Sequence, residues 1–434
     1  MNGRNGTIAL GVVLVLLLGS ALAELIPTPD FSNHPIPTAA VPGTTSAARE
    51  YLDVALLAVA LVLATYWAHR TRSRRNLFLL SLASLFWFGF VRQGCICPIG
   101  ATQNVAMAVW QPGYVIPLSA VIFFVLPLLV AAFFGRTFCA AVCPLGAVQE
   151  VTAVRSVRVP RWLDHVLSLI PFVYLGAAVI FAATGTAMLI CRYDPFVALF
   201  RWNGNANMVI FGFSMLALGL FVGRPYCRFL CPYGAILGVL SKFARWHVRI
   251  PPDRCINCRL CEDVCPYGAI DPPSSAPSPT DVARGRRQLA IVLLASPLVV
   301  LCFAALGTQL GGPLSKLDPE VQLAEQIRRE ELGLTKITTD ASEAFRAARR
   351  PVAELYAAAV SQRERFDRLA VALGIWVGLV VAVKLISLSM RSRQSDYEPN
   401  RNGCVSCGRC YWYCPNEQIR LGLIQTPEDL VKLQ

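Results

Sequence analysis

The chain has 434 residues, of which 55% are apolar and 15% charged, and its 40 Lys and Arg outnumber 27 Asp and Glu. A charged share well below the roughly 25% of globular proteins, with a positive mean hydropathy, excludes a soluble single domain, a disordered tail and an ordinary cytosolic enzyme. The 16 cysteines must therefore be explained inside a chain that largely faces lipid.

Eight apolar runs are long enough, or nearly so, to cross as helices the roughly 30 Å hydrocarbon layer, where backbone groups must be satisfied internally. In chain order they are 8–23, 52–68, 77–91, 114–134, 163–190, 208–222, 289–310 and 369–389. The first has a basic start at Arg4 and ends in Ala21-Leu22-Ala23, as a cleaved signal or an anchor helix would; either exports the Pro-rich segment 24–50. The expected organisation is a membrane bundle over 51–249, a ferredoxin half over 250–283 and a helix over 284–310. An exported helical segment over 311–366, a helix over 367–390 and a second ferredoxin half over 391–434 complete it.

Cationic side chains accumulate in cytoplasmic loops and so orient the helices. Arg70, Arg72, Arg74 and Arg75, then Arg155, Arg158 and Arg161, then Lys242, Arg245 and Arg249, then Arg284, Arg286 and Arg287, and finally Arg391 and Arg393 all fall on one side if each run crosses once. Both ferredoxin halves are thus expected in the cytoplasm. The net charge of +13 reads as this topology signal and not as a nucleic-acid surface, because it is scattered between spans. In 311–366, Asp318-Pro319-Glu320 reads as a helix start, Gly333 as a stop and Asp340 as the cap of a second helix that resumes after Pro351. This segment reads as a packed helical hairpin or as a docking surface for an exported partner.

Two runs carry the strongest chemistry. Cys255-x2-Cys258-x2-Cys261-x3-Cys265-Pro266 has the spacing of bacterial ferredoxins, and Cys404-x2-Cys407-x2-Cys410-x3-Cys414-Pro415 repeats it. Three thiolates of one tight loop cap one face of a cubane while the fourth reaches to the other cluster. Two [4Fe–4S] clusters with crossed ligation are therefore expected: Cys255, Cys258 and Cys261 with Cys414, and Cys404, Cys407 and Cys410 with Cys265. Zinc would call for paired knuckles and often histidine, and disulfides are disfavoured in a reducing compartment.

A second pattern recurs at the ends of apolar runs. Gly135-Arg136-Thr137-Phe138-Cys139-x3-Cys143-Pro144-Leu145-Gly146-Ala147 aligns with Gly223-Arg224-Pro225-Tyr226-Cys227-x3-Cys231-Pro232-Tyr233-Gly234-Ala235. Arg92-Gln93-Gly94-Cys95-x-Cys97-Pro98-Ile99-Gly100-Ala101 is a contracted copy, so helix plus motif is duplicated within the chain. Residues four apart on a helical turn face the same way, and Cys139, Cys143, Cys227 and Cys231 could hold a third [4Fe–4S] cluster with the arginines offsetting its charge. Buried cysteines packing as small apolar residues are the alternative. Cys95, Cys97, Cys191 and Cys302 remain, all toward the outer side, and suggest a fourth, outer metal centre; a disulfide or unrelated packing thiols are the other readings.

These motifs, with Gly94-Cys95-Ile96-Cys97-Pro98-Ile99-Gly100 and Cys191-Arg192-Tyr193-Asp194-Pro195-Phe196, resemble the NosR/NapH-type membrane polyferredoxins over residues 77–270 and 402–420. The resemblance implies a multi-pass protein of the bacterial inner membrane that serves anaerobic respiration. Such a protein passes electrons between the quinone or cytoplasmic pool and a periplasmic reductase. NosR-like members carry an exported flavin domain, whereas here that region is 24–50 and has no Ser-Gly-Ala-Thr flavinylation motif, so no covalent FMN is expected.

Absences narrow the chemistry further. The four histidines, His34, His69, His165 and His247, lie outside the middle of any span, and no C-x-x-C-H site exists, so no haem is expected. No nucleotide-cradling loop, zincin motif or nucleophile elbow appears. The fold class expected is mainly α, a polytopic helical membrane protein with a split cytoplasmic 2[4Fe–4S] ferredoxin module. Its expected role is an electron-transfer component and not a stand-alone enzyme, relaying electrons between cytoplasmic clusters or quinol and a periplasmic oxidoreductase or cytochrome. A redox maturation or regulatory ferredoxin for a respiratory metalloenzyme is the alternative.

Overall fold

The computed structural model describes residues 46–426 except 95–96, 112, 155–156, 158, 202–204, 251–254, 275–277, 336 and 391–395. The first apolar run, 8–23, the stretch 24–45 and Cys95 therefore lie outside the described residues. The chain is a polytopic helical membrane protein with a small ferredoxin module packed on one end.

The bundle starts with α1 (Ala47–His69), followed by α2 (Arg74–Ser84), which continues as a π-helical turn over Leu85–Val91. Then come α3 (Pro98–Trp110) and α4 (Leu118–Phe134). α1 and α4 run parallel: Ser119 donates to Glu50 at one end (2.9 Å), and His69 Nε2 meets the Phe134 carbonyl at the other (2.9 Å). The short helices α5 (Thr137–Ala141) and α6 (Pro144–Thr152) fold back under the bundle at the His69 end.

The expected run 163–190 is not one helix. It divides into α7 (Arg161–Leu167), α8 (Ile170–Ala183) and α9 (Leu189–Arg192). Pro171 in the first turn of α8 cannot donate a backbone bond, and Gly185, with φ of 75°, turns the chain after α8. Next are α10 (Val197–Arg201), α11 (Ala206–Gly219), α12 (Pro225–Phe229) and α13 (Pro232–Ser241). Apolar composition alone had hidden α3, α6 and α13 as separate helices, because each begins at a Cys-Pro step that interrupts the preceding chain.

Two long helices stand beside this bundle: α15 (Pro279–Ser315), after α14 (Leu260–Val264), and α18 (Val352–Ser389). Between them lie α16 (Pro319–Glu331) and α17 (Asp340–Ala347), at the end of the bundle away from the ferredoxin module. Asp318 caps α16 by accepting from the Glu320 and Val321 amides, and Thr339, not Asp340, caps α17. α1, the α7–α8 pair, α15 and α18 are long and apolar enough to cross a membrane; α4, α11 and α13 are apolar but shorter.

α15 and α18 meet through glycines spaced four apart, Gly307 and Gly311 on one and Gly374 and Gly378 on the other. A Cβ on Gly307 would stand 2.5 Å from the Ala370 carbonyl oxygen, and one on Gly378 would stand 2.8 Å from Val300 Cα. Small residues let backbones approach where no hydrophobic effect drives helices together in lipid. α18 also joins the bundle, with Trp376 Nε1 donating to the Phe172 carbonyl (2.8 Å) and Lys384 to Ser168 Oγ (2.9 Å).

The ferredoxin halves are far apart in sequence yet form one unit. β1 (Ile270–Asp271) pairs antiparallel with β2 (Glu398–Pro399), with Ile270 opposite Pro399, and the Asn400 amide donates to the Ala269 carbonyl (2.8 Å). α19 (Arg409–Trp412) and α20 (Pro415–Arg420) complete the second half. Cys265, Cys404 and Cys407 pack against the same core as Cys139, Cys143 and Cys231, so the module is seated on the bundle.

Candidate iron–sulfur centres

The two ferredoxin loops share one backbone shape. Asn257 and Ser406, each two residues after the first cysteine, have φ of 53° and 57°, and Arg259 and Gly408, each one after the second, have 65° and 80°. Positive φ is uncommon outside glycine, so its recurrence at matched positions marks a loop wound to aim several thiols at one point. The Ser406 amide donates to Cys404 Sγ and the Ala269 amide to Cys265 Sγ, both at 3.4 Å.

Grouping follows the crossed pattern. Cys261 lies within electrostatic reach of Cys258, Cys414 and Cys255, whereas Cys410 lies within reach of Cys404, Cys407 and Cys265 and, most weakly of the four, of Cys261 in the other set. Burial pushes the Cys261 and Cys404 thiols up to about 12. Four thiolates gathered around one buried cysteine, Cys261 in one set and Cys410 in the other, call for cations between them, which is the chemistry an iron–sulfur cluster supplies, and the donor sets fit it. Among the described residues no three side chains close on a single-ion site.

The CxxxCP copies are built differently from one helical turn. Cys139 and Cys227 lie in the five-residue helices α5 and α12, and Cys143 and Cys231 are the residues before α6 and α13, with proline next. Proline cannot follow a helical residue comfortably but opens a helix well, so each pair spans a break. The second thiol of each pair therefore sits at a helix N-terminus, where the dipole favours negative charge. The Gly234 amide donates to Cys231 Sγ (3.2 Å), and Gln149 Nε2 to Cys227 Sγ (3.2 Å). Cys143 is within electrostatic reach of Cys227, Cys139 and Cys231, so the structure gathers the four expected residues.

The two copies embrace reciprocally. A Cβ on Gly146 would stand 3.0 Å from Arg224 Nη1, and one on Gly234 would stand 3.3 Å from Arg136 Nη2, so each copy's arginine lies over the other's glycine. Arg136 feels Cys139, Cys231, Cys227 and, on the module side, Cys404; Arg224 feels Cys227 and Cys407. Both guanidinium groups thus lie between the inner thiol set and the nearer ferredoxin set.

Glu150 ties these parts together. Its carboxylate accepts from Arg74, from Arg224 Nε (3.1 Å) and from Arg409 Nη2 (2.7 Å), joining α2, α12 and the ferredoxin module around one buried group. Burial pushes the Glu150 carboxyl up, but Arg224, Arg74 and Arg409 overcome that and hold it well below the usual carboxylate range. Further bonds seat the module: Arg74 and Arg136 donate to the Cys407 and Asn402 carbonyls (2.9 and 3.1 Å), and Arg72 pairs with Glu417 (3.2 Å). Sequence reasoning passed over Glu150 and Gln149; an acid within an otherwise apolar motif helix was the available signal.

The outer set divides. Cys97 precedes α3 as Cys143 precedes α6, and it lies within electrostatic reach of Asp194 and Cys191 on one side and of Cys143 and Cys231 on the other. Cys191 is exposed on α9, and a Cβ on Gly100 would stand 3.1 Å from its Sγ. Cys302 is exposed on α15, which packs along α18, and is not brought to the other two. Above this site the buried carboxylate of Asp53 pairs with Arg92 (2.8 Å) and accepts from Trp87 Nε1 (2.9 Å).

With the geometry in place, comparison with known proteins gives its class. A 4Fe–4S binding domain matches twice, over 116–161 and 205–251, each spanning one CxxxCP copy, and a second 4Fe–4S binding domain matches 248–271, which holds the first ferredoxin run. The chain is thus a helical membrane protein with 4Fe–4S binding domains of ferredoxin type. It is 32% identical to Protein NirI of Paracoccus denitrificans over 44% of its own length and 23% of NirI. It is 30% identical to YccM of Escherichia coli, a candidate electron transport protein, over 26% of its length and 34% of YccM. It is also 26% identical to an uncharacterized protein of Methanocaldococcus jannaschii over 42% of its length and 76% of that protein. The match thus spans a quarter to a third of the first two relatives' own length. No solved structure matches the chain.

Proposed function

We propose that this protein is an electron-transfer subunit of the bacterial inner membrane, relaying electrons between cytoplasmic clusters or quinol and a periplasmic respiratory oxidoreductase. The arginines of the loops at the ferredoxin end support a cytoplasmic module. The likeness to YccM supports electron transport, and the resemblance to NosR/NapH-type polyferredoxins supports the respiratory setting. The observation that carries the reading is the succession of thiol sets: Cys255, Cys258, Cys261 and Cys414; then Cys404, Cys407, Cys410 and Cys265; then, across Arg136 and Arg224, Cys139, Cys143, Cys227 and Cys231.

When bound to those sets, [4Fe–4S] clusters supply reversible one-electron storage. The chain's own residues supply position and electrostatics. Glu150 and its three arginines fix the module's distance from the bundle, and the proximity of Cys404 and Cys407 to Arg136 and Arg224 follows from that seating. The guanidinium groups offset the repulsion that two adjacent anionic centres would otherwise exert.

The test is iron and acid-labile sulfide per purified chain. Wild type should hold at least about twelve irons, three four-iron centres. Cys139→Ser and Cys227→Ser should each lose about four and stop transfer from a reduced ferredoxin module to an acceptor at the opposite end. Iron that stops at about eight in wild type, with transfer intact in both variants, defeats the relay.

A further inference from the structure

A cavity of about 640 Å³ opens at the end of the bundle opposite the ferredoxin module. Its walls include Cys97, Cys191 and Asp194, together with Arg49, Glu50, Arg92 and Arg201. Asp194 is 6% exposed, and its Oδ1 accepts from the Phe196 amide (2.9 Å). Cys97 repeats the structural position of Cys143 and Cys231, the residue before a Pro-initiated helix, and lies within electrostatic reach of both. Gly100 leaves room for Cys191 Sγ where any side chain would collide.

We infer that Cys97, Cys191 and Asp194 are ligands of a further iron–sulfur centre, in which the Asp194 carboxylate takes the place that cysteine counting gives to Cys302. The inference rests on the proposed relay and extends it to the cavity. Two thiols and a buried carboxylate form a donor set for a centre of mixed thiolate and carboxylate ligation, in a cavity that Arg49, Glu50 and Arg201 also line while Arg92 is paired with Asp53. Because the cavity is open and Cys191 is exposed, this is the station that a partner at that end of the bundle can approach.

The experiment uses the full chain in nanodiscs, measuring iron, sulfide, and Mössbauer and electron paramagnetic resonance spectra. The variants are Cys97→Ser, Cys191→Ser, Asp194→Asn and Cys302→Ser, with Cys139→Ser as the reference for the inner set. The expected result is that Cys97→Ser and Cys191→Ser remove one and the same signal and its iron, with the ferredoxin signals unchanged as proof of folding. Asp194→Asn shifts or removes that same signal, and Cys302→Ser leaves it untouched. The inference is overturned if iron and spectra are unchanged in the first three variants, if Cys302→Ser removes the signal, or if Cys97 and Cys191 are found joined as a disulfide without metal. Failure of the relay itself would show separately, as a Cys139→Ser spectrum identical to wild type.

Discussion

Replacing Glu150 by Gln is the sharpest perturbation of how the ferredoxin module is seated. The substitution keeps shape but removes the one negative charge that three arginines share. Arg224 is the arginine that suffers, because its side chain is 1% exposed against 17% for Arg74 and 25% for Arg409. The latter two can turn toward water and lose at most about 1 kcal/mol each. Arg224 keeps the Cys139 and Ala140 carbonyls as acceptors and the nearby Cys227 and Cys407, but loses its carboxylate partner in a buried site, which costs up to about 3–5 kcal/mol. If that penalty falls on the contact between module and bundle, the docked state loses a factor of up to about 10² to nearly 10⁴ relative to the loosened one. Hydrogen exchange over 396–426 in nanodiscs should accelerate accordingly, and magnetic coupling between the inner and nearer ferredoxin centres should weaken. Exchange and coupling equal to wild type would refute the idea that this carboxylate holds the module in place.

Other outcomes follow from the same geometry. Cys414→Ser should change only the spectrum of the centre held by Cys255, Cys258 and Cys261, and Cys265→Ser only that of the other; the opposite assignment would mean uncrossed ligation. Gly374→Leu would drive a side chain into the Phe303 backbone and should destabilise the α15–α18 pair by about 1–3 kcal/mol or more, read as a lower thermal midpoint. An unchanged midpoint would deny the close helix contact. Burial, aided by Arg401 and Arg249, pulls His247 down to about 4. Its unfolded value is about 6.5, so protonation favours the open state and stability should fall as pH drops from 6.5 toward 4. His247→Gln should flatten that part of the melting-temperature profile, and an unaltered profile would assign the acid sensitivity elsewhere.

The chemistry of the chain was legible because it is local. Cys255 to Cys265 and Cys404 to Cys414 show their purpose in spacing alone, since a cubane demands three thiols from one tight loop, and the left-handed residues that wind that loop recur in both runs. The duplicated Gly-Arg-x2-Cys-x3-Cys-Pro segments were equally visible, as was the membrane setting, because lipid requires long apolar runs. The helix boundaries were less so. Residues 163–190 form three helices, and the cysteines four apart flank a break, because Cys-Pro steps and Gly185 act on backbone geometry that hydropathy does not register.

Only the tertiary structure decided which distant groups meet. Nothing local joins Glu150 to Arg409, 259 positions away, or makes the arginine of each motif copy cover the glycine of the other. Neither could counting tell that Asp194, and not Cys302, faces the cavity beside Cys97 and Cys191. Spacing specifies what a loop can bind, because ligand geometry is set within a few bonds. How those loops are arranged in space depends on helix packing and buried charge pairs, which sum over the whole chain and have no short signature.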